Sequence, residues 1–138
     1  MAARTFTVDI VTPDRVVLSE EATSLVAPGI NGSFGILPNH APFLSELEPG
    51  ELRFRRDGGH EARLAIGGGF LQVFNNQVTV LADTAERAEE IDLERARRAI
   101  ERARQEIREA TASYDDEARE QAEQTLARAQ NRIRVATG

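Results

Sequence analysis

Every proline, every phenylalanine and all but one glycine of this chain lie before residue 76. From Thr84 to Thr137 there is no Gly, Pro, Phe, Trp or Cys, only a run dense in Ala, Glu and Arg. The two halves must therefore fold by different rules. The first has period-2 patterning and turn residues; the second has helix formers with nothing to interrupt them. This layout predicts a β-domain over 1–83 followed by a helical arm over 84–138, a part of a larger machine and not a free-standing enzyme.

In the first half, Phe6, Val8 and Ile10 alternate with Thr5, Thr7 and Asp9, the pattern of a half-buried strand. Pro13-Asp14 turns the chain into Val16-Val17-Leu18, and Leu25-Val26 is a strand stopped by Pro28-Gly29. Gly29, Gly32, Gly35, Pro38 and Pro42 force tight turns around short apolar pieces. Leu52 and Phe54 alternate with arginines, and Asp57-Gly58-Gly59 is a hairpin turn into Ala62, Leu64 and Ile66. Phe70–Phe74, an Asn75-Asn76 turn and Val78–Leu81 complete the series. About ten short strands at this spacing predict a β-sandwich.

The second half offers two helix starts, a capping box at Asp83–Glu86 and an N-cap at Asp92. Leu93, Ala96, Ile100, Ala103, Ile107 and Ala110 then make one narrow apolar seam. Thr111–Asp116 is poor in helix formers, and Ser113 with Asp116 is placed to cap a second helix. Ala118, Ala122, Leu126, Ala129, Ile133 and Ala136 form the second seam. The expected product is an antiparallel two-helix hairpin. With no Gly or Pro at its turn, one continuous helix ~75 Å long is the competing state. Seams so rich in Ala bury little apolar area, so the arm is weakly held and suited to switching.

Charge and composition exclude several functions. The net charge is −6, with 6 Arg against 10 acids through Asp83 and 11 against 13 after it. Neither part has the basic surface that nucleic acid demands. The absence of Cys removes disulfides, thiolate nucleophiles and cysteine-ligated zinc. The first ten residues lack the apolar region of a signal peptide, and no run approaches the ~18 apolar residues of a membrane span. His40 and His60 have no partners forming a triad or metal site, and Ser33 and Ser45 lack a third member. Gly67-Gly68-Gly69 has no Lys-Ser/Thr after it and leads into a strand, so it reads as a bulge or a close backbone approach. No catalytic residues are expected. The arm's Arg95 and Arg102 share a helix face, as do Arg128 and Arg132. Folded antiparallel, both pairs converge on an anion such as a polyphosphate; otherwise they are a solvated face with pairs such as Glu94–Arg98 and Arg97–Glu101.

Three stretches carry a resemblance: Gly35–Pro42, Gly67–Val73 and Val78–Ala85. In order, and with the sandwich-then-hairpin layout, they resemble the epsilon subunit family of the rotary F-type ATP synthase over essentially the whole chain. The resemblance implies a non-catalytic central-stalk subunit that couples proton translocation to ATP synthesis. Its sandwich would pack on the gamma subunit and meet the c-subunit ring through His40 and Ser33. Its arm would fold into a hairpin or extend into the alpha and beta subunits and block ATP hydrolysis. Ile91-Asp92-Leu93-Glu94-Arg95-Ala96 matches the nucleotide motif of the family's ATP-binding arms. The resemblance puts Glu86, Ile91, Asp92, Arg95, Ala96, Arg102, Arg128 and Arg132 at nucleotide-contacting positions. No cofactor would be required, ATP being regulatory. The setting implied is the cytoplasmic face of a bacterial plasma membrane or the stromal side of plastid thylakoids, with the membrane reached only through the complex. The rival class is a β-sandwich adaptor whose coiled-coil arm scaffolds without regulating.

Overall fold

The computed structural model describes residues 4–138. Two compact units divide the chain, one ending at Ala88 and the other spanning Glu89–Gly138. The first contains eight strands among the described residues: β1 Phe6–Thr12, β2 Arg15–Ala22, β3 Ser24–Gly29, β4 Gly32–Ile36, β5 Phe43–Arg55, β6 Glu61–Phe74, β7 Gln77–Ala82 and β8 Ala85–Arg87. About ten were expected. The difference arises because β5 and β6 are each one long strand, running unbroken through Pro49-Gly50 and Gly67–Gly69.

One hydrogen-bonded ladder runs β2-β1-β7-β6-β5-β3-β4, with β8 added to β6. Neighbours are antiparallel except β1 and β7, which run parallel from Thr7↔Gln77 to Val11↔Leu81. The ladder becomes a sandwich through β5 and β6. Before the glycine run, Leu64 and Ile66 face inward; after it, Leu71 and Val73 do. On β5 the inward residues change from Leu47 to Leu52 and Phe54, so both strands turn over together while their pairing continues from Leu47↔Gly69 to Pro49↔Gly67. Gly68 and Gly69 have φ of 108° and 132°, a region L side chains rarely adopt. A Cβ on Gly69 would lie 2.8 Å from Ala82 Cα and collide with the Leu81 carbonyl oxygen. The glycine run is thus the backbone device its composition suggested.

Inward residues from both ends of the ladder, among them Phe6, Val8, Ile10, Leu25, Ile36, Leu52, Phe54, Leu64, Ile66, Leu71, Val78 and Val80, make one core cluster. The alternation read for Phe6–Ile10 is the buried face of β1.

The helix start expected at Asp83–Glu86 is corrected by the structure. Ala85–Arg87 pairs with Leu64–Ile66 of β6, and Asp83 N–H donates to the Gly68 carbonyl at 3.0 Å. Ladder bonds there outweigh a local capping signal. The boundary placed after Asp83 accordingly falls after Ala88.

The second unit is a helical hairpin, α1 Leu93–Ala112 and α2 Asp116–Thr137, preceded by a 3₁₀ turn over Ala88–Glu90. Asp92 is the N-cap of α1, its Oδ1 accepting from Arg95 N–H at 3.1 Å. Asp115, not Ser113 with Asp116, caps α2 by accepting from Ala118 N–H at 3.1 Å. Ser113 instead closes α1, donating its hydroxyl to the Glu109 carbonyl at 2.9 Å. Ala96, Ala103 and Ala110 are buried on α1 as the first seam requires; Ile100 and Ile107 are half-buried. On α2 the buried residues are Ala122, Ala129, Asn131 and Val135, a broader stripe than the expected seam, with Ile133 and Ala136 half-buried.

Candidate functional site

Three features of the molecule lack a purely structural purpose. The first lies on the outer face of the sandwich. Phe70, Leu81, Val11 and Val16 are successive cross-strand partners on β6, β7, β1 and β2. Phe70, Leu81 and Val16 are 50%, 56% and 63% exposed. Isolated apolar residues on a surface are ordinary, but a row in register over four strands is a contiguous patch of the kind that marks a protein contact. Sequence reading missed it. The signal was an apolar residue out of phase with the buried set, as Phe70 and Leu81 are with Leu71 and Val80, and it is visible only once the buried face is known.

The second is the β4–β5 connection, Leu37–Pro42. Asn39 adopts φ 66°, and its N–H donates to Asn76 Oδ1 at 2.7 Å. Asn76 Nδ2 donates in turn to the Thr5 carbonyl at 2.8 Å, tying this loop to the β6–β7 turn and to the approach to β1. His40 Nδ1 lies 2.7 Å from the Ala41 carbonyl oxygen; since a carbonyl only accepts, Nδ1 carries the proton and Nε2 is left for a partner. The His40 ring meets Phe43 edge-on at 5.6 Å between centroids, and Phe43 meets Phe34 at 5.2 Å. The imidazole is held by packing as well as hydrogen bonding, and Leu37 of the same loop is exposed. Ser33 is exposed on the edge strand β4.

The third is the arm. Asp92 is committed as a helix cap, and Arg95, in the first turn of α1, is exposed, as is Arg102. Ala96 is fully buried, a packing residue. Arg128 and Arg132 on α2 are half-buried. Counting outward from Tyr114 in the hairpin turn, Arg132 stands level with Ala96 and Arg128 with Ile100, because the two helices rise at the same rate. The fold therefore brings Arg132 level with the first turns of α1, near Asp92 and Arg95, and Arg128 level with the stretch between Arg95 and Arg102. Ile91 immediately precedes the Asp92 cap, and Glu86 belongs to the first unit, on β8 opposite Ala65. Of the intrahelical pairs expected, Glu94–Arg98 closes at 3.8 Å. At that distance and exposure it contributes only a few tenths of a kcal/mol.

At its opposite end the hairpin has a groove of about 410 Å³ lined by Glu106, Glu109, Ser113, Asp115, Gln121 and Thr125. Its three carboxylates repel phosphate, so the basic end is the electrostatically acceptable place for a triphosphate. Among the described residues there is no grouping of three or more His, Asp or Glu able to hold a metal ion. No helix there is long and apolar enough to cross a membrane.

Comparison with known proteins gives a consistent result over both units. Residues 5–88 match the β-sandwich domain of the ATP synthase delta/epsilon chain, and residues 89–137 match the long α-helix domain of the same chain. The ATP synthase epsilon chain of Moorella thermoacetica is 48% identical over 93% of this chain and 93% of its own. That of Desulforamulus reducens is 47% identical over 97% and 98%. A chain in the cryo-EM structure of the Euglena gracilis mitochondrial ATP synthase OSCP/F1/c-ring superposes with a TM-score of 0.83 at 26% identity, over 100% of this chain and 84% of that one. A chain in the Tetrahymena thermophila mitochondrial ATP synthase central stalk/c-ring shares the fold, with a TM-score of 0.61 at 14% identity over 99% and 100%.

Proposed function

The chain belongs to the epsilon-chain family of the F-type ATP synthase, and on that premise we propose that it is a rotor subunit with a regulatory arm. Its sandwich docks on the gamma subunit through the Phe70–Leu81–Val11–Val16 row and meets the c ring through the loop bearing His40, with Ser33 beside it. The arm, when extended, reaches the alpha and beta subunits and restrains ATP hydrolysis; folded, it releases them. Catalysis belongs to those other subunits, and this one couples proton-driven rotation to their ATP synthesis. The membrane is reached only through the complex, at the cytoplasmic face of the bacterial plasma membrane.

The observation that carries this reading is the contrast in cohesion between the two units. The sandwich buries Phe, Leu, Ile and Val side chains from strands throughout the ladder in one cluster. The arm's hairpin relies chiefly on alanines, Ala96, Ala103, Ala110, Ala122 and Ala129, with Val135 as its one large buried apolar residue. Each alanine withdraws little apolar surface from water, so the arm has far less holding it closed than the sandwich does. A stiff foot and a lightly held arm suit a subunit that stays attached while changing state.

Regulatory ATP has a place in the same scheme. The N-terminus of α1 carries partial positive charge, and Arg95 in that turn adds a guanidinium. Arg128 and Arg132 stand at the same end only while the hairpin is folded, so a triphosphate bound by Arg95, Arg128 and Arg132 at the helix start that Asp92 caps, with Ile91, Ala96 and Arg102 on the same arm, favours the folded state.

Removing residues 89–138 tests the regulatory reading. The truncated subunit should still assemble into the synthase and support ATP synthesis, while ATP hydrolysis rises. Loss of assembly would instead make the chain an adaptor with a scaffolding arm, and unchanged hydrolysis would remove the inhibitory role.

A further inference from the structure

The turn between α1 and α2 has the hydrogen bonds of a standard helix stop but the wrong residue at its pivot. Asp115 N–H donates to the Ala110 carbonyl at 2.9 Å and Tyr114 N–H to the Thr111 carbonyl at 3.3 Å. With Ser113 as the C-cap, these are the paired bonds of a Schellman turn. That turn requires a left-handed residue just past the cap, normally glycine. Here the position is Tyr114, with φ 57°. A Cβ in this conformation crowds the following carbonyl, and an aromatic side chain has no local hydrogen bond with which to offset it, as Asn or Asp has. Packing offers no offset either, because the Tyr114 side chain is 91% exposed.

We infer that Tyr114 is a strained hinge that sets the balance between the folded and the extended arm. The inference rests on the two-state reading of the arm proposed above and supplies its regulation. The cap favours folding: Asp115 accepts from the Ala118 N–H, a donor that only a broken helix leaves open. Tyr114 opposes it. In a continuous helix it returns to ordinary helical dihedrals and the strain is relieved, whereas in the hairpin the strain persists. A left-handed non-glycine residue shifts such an equilibrium by roughly fivefold to thirtyfold. With alanines supplying most of the seam, a shift of that size reaches the population of arms available to the catalytic head. The 20- and 22-residue helices contain no Gly or Pro that would prevent their fusion.

The chain has no cysteine, so dyes placed at Arg97→Cys and Arg134→Cys report the arm alone. Both residues are exposed, and neither is among the residues assigned to the nucleotide; because both lie at that end of the hairpin, the measurement is made without ATP. Fusion of the helices would separate the dyes by about 55 Å at 1.5 Å per residue, against a short distance in the hairpin. Single-molecule energy transfer would be recorded on the full chain, free and assembled in the synthase. Tyr114→Gly should raise the hairpin-to-extended ratio at least fivefold. Asn and Ser have similar helix propensities but differ in tolerance of left-handed φ, so Tyr114→Asn should raise the ratio clearly more than Tyr114→Ser. Equal ratios for the Asn and Ser variants, or no rise with Gly in either setting, would overturn the hinge. A ratio that rises while ATP hydrolysis stays the same would leave the hinge standing and overturn the inhibitory role of the arm instead.

Discussion

Asn76 and Asn39, far apart in the chain, are joined by a hydrogen bond of 2.7 Å from the Asn39 N–H to the Asn76 side-chain oxygen. The same amide donates to the Thr5 carbonyl, so one side chain fixes a loop, a turn and the approach to the first strand. Replacing Asn76 by Gly keeps the left-handed backbone of the turn, φ 60°, while deleting both bonds. The Asn39 amide should then exchange with solvent at least tenfold faster, at a cost of about 1–2 kcal/mol in stability. Asn76→Asp keeps the acceptor and should leave Asn39 protected. Equal exchange in wild type and the Gly variant, measured by NMR, would dismiss the tie.

Gly69 has no room for a side chain and an unsuitable φ for one. Gly69→Ala should destabilise the sandwich by roughly 2–4 kcal/mol, since the clash with Leu81 and Ala82 adds to the left-handed backbone cost. Gly58 offers the control. Its φ is 105° but nothing lies within 4 Å of an added Cβ, so Gly58→Ala should cost only the backbone share, about 1 kcal/mol. Urea midpoints that fail to separate the two variants would refute the steric account.

Glu20 and Arg56 form a two-point ion pair at 2.6 and 3.2 Å, with Arg56 also over the Phe54 ring at 5.4 Å. The hydrogen bond from Arg56 holds the Glu20 carboxyl below the usual carboxylate range, against the smaller opposing effect of burial. The unfolded chain therefore takes up this proton first as pH falls. The stabilisation is complete above the unfolded value near 4.3 and disappears as pH drops through the lower folded value. Glu20→Gln should cost about 0.5–1 kcal/mol at pH 7, and the gap to wild type should close toward pH 2. A gap independent of pH in chemical denaturation would contradict this.

Nucleotide binding is open to direct measurement on the isolated chain by calorimetry. Arg95→Ala and Arg132→Ala should each weaken ATP binding by about 1–3 kcal/mol, as expected for loss of a charge-assisted bond to phosphate. Arg119, on α2 far from that end and paired with Glu123 at 3.8 Å, should be replaceable without effect. Absence of heat at millimolar ATP, or equal binding by the Arg95 and Arg119 variants, would leave these arginines to serve a protein partner.

The parts of the fold that were legible in the sequence are those fixed by neighbours along the chain. Phe6–Ile10 alternates because one face of β1 is buried, and Asp92 begins a helix because its side chain reaches an amide three residues on. The misreadings came where distant contacts decide. Asp83–Glu86 has the chemistry of a helix start, yet Leu64–Ile66 offers Ala85–Arg87 a ladder, and only the tertiary structure reveals that offer. The bulge or close approach read at Gly67–Gly69 is present, but its pairing onward to Pro49 of β5 is likewise decided by distant contacts. In the arm, spacing placed Arg95, Arg128 and Arg132 on helices but left the register between the helices open, because that register is set by the turn at Ser113–Asp115. The Phe70–Val16 row escaped notice because its members come from four strands whose alignment no single segment encodes.

The passage of β5 and β6 through both sheets has a mechanical consequence. In a sandwich made of separate sheets, a sideways load on one slides it over the other, resisted only by the side chains between. Here the two layers are one pleated strip folded over, joined along two backbones by covalent bonds and by the paired hydrogen bonds of a continuous ladder. Sliding would have to stretch those bonds. A domain gripped on one face and pulled at a distant loop would thus pass torque with little internal give, leaving the helical arm as the compliant part of the subunit.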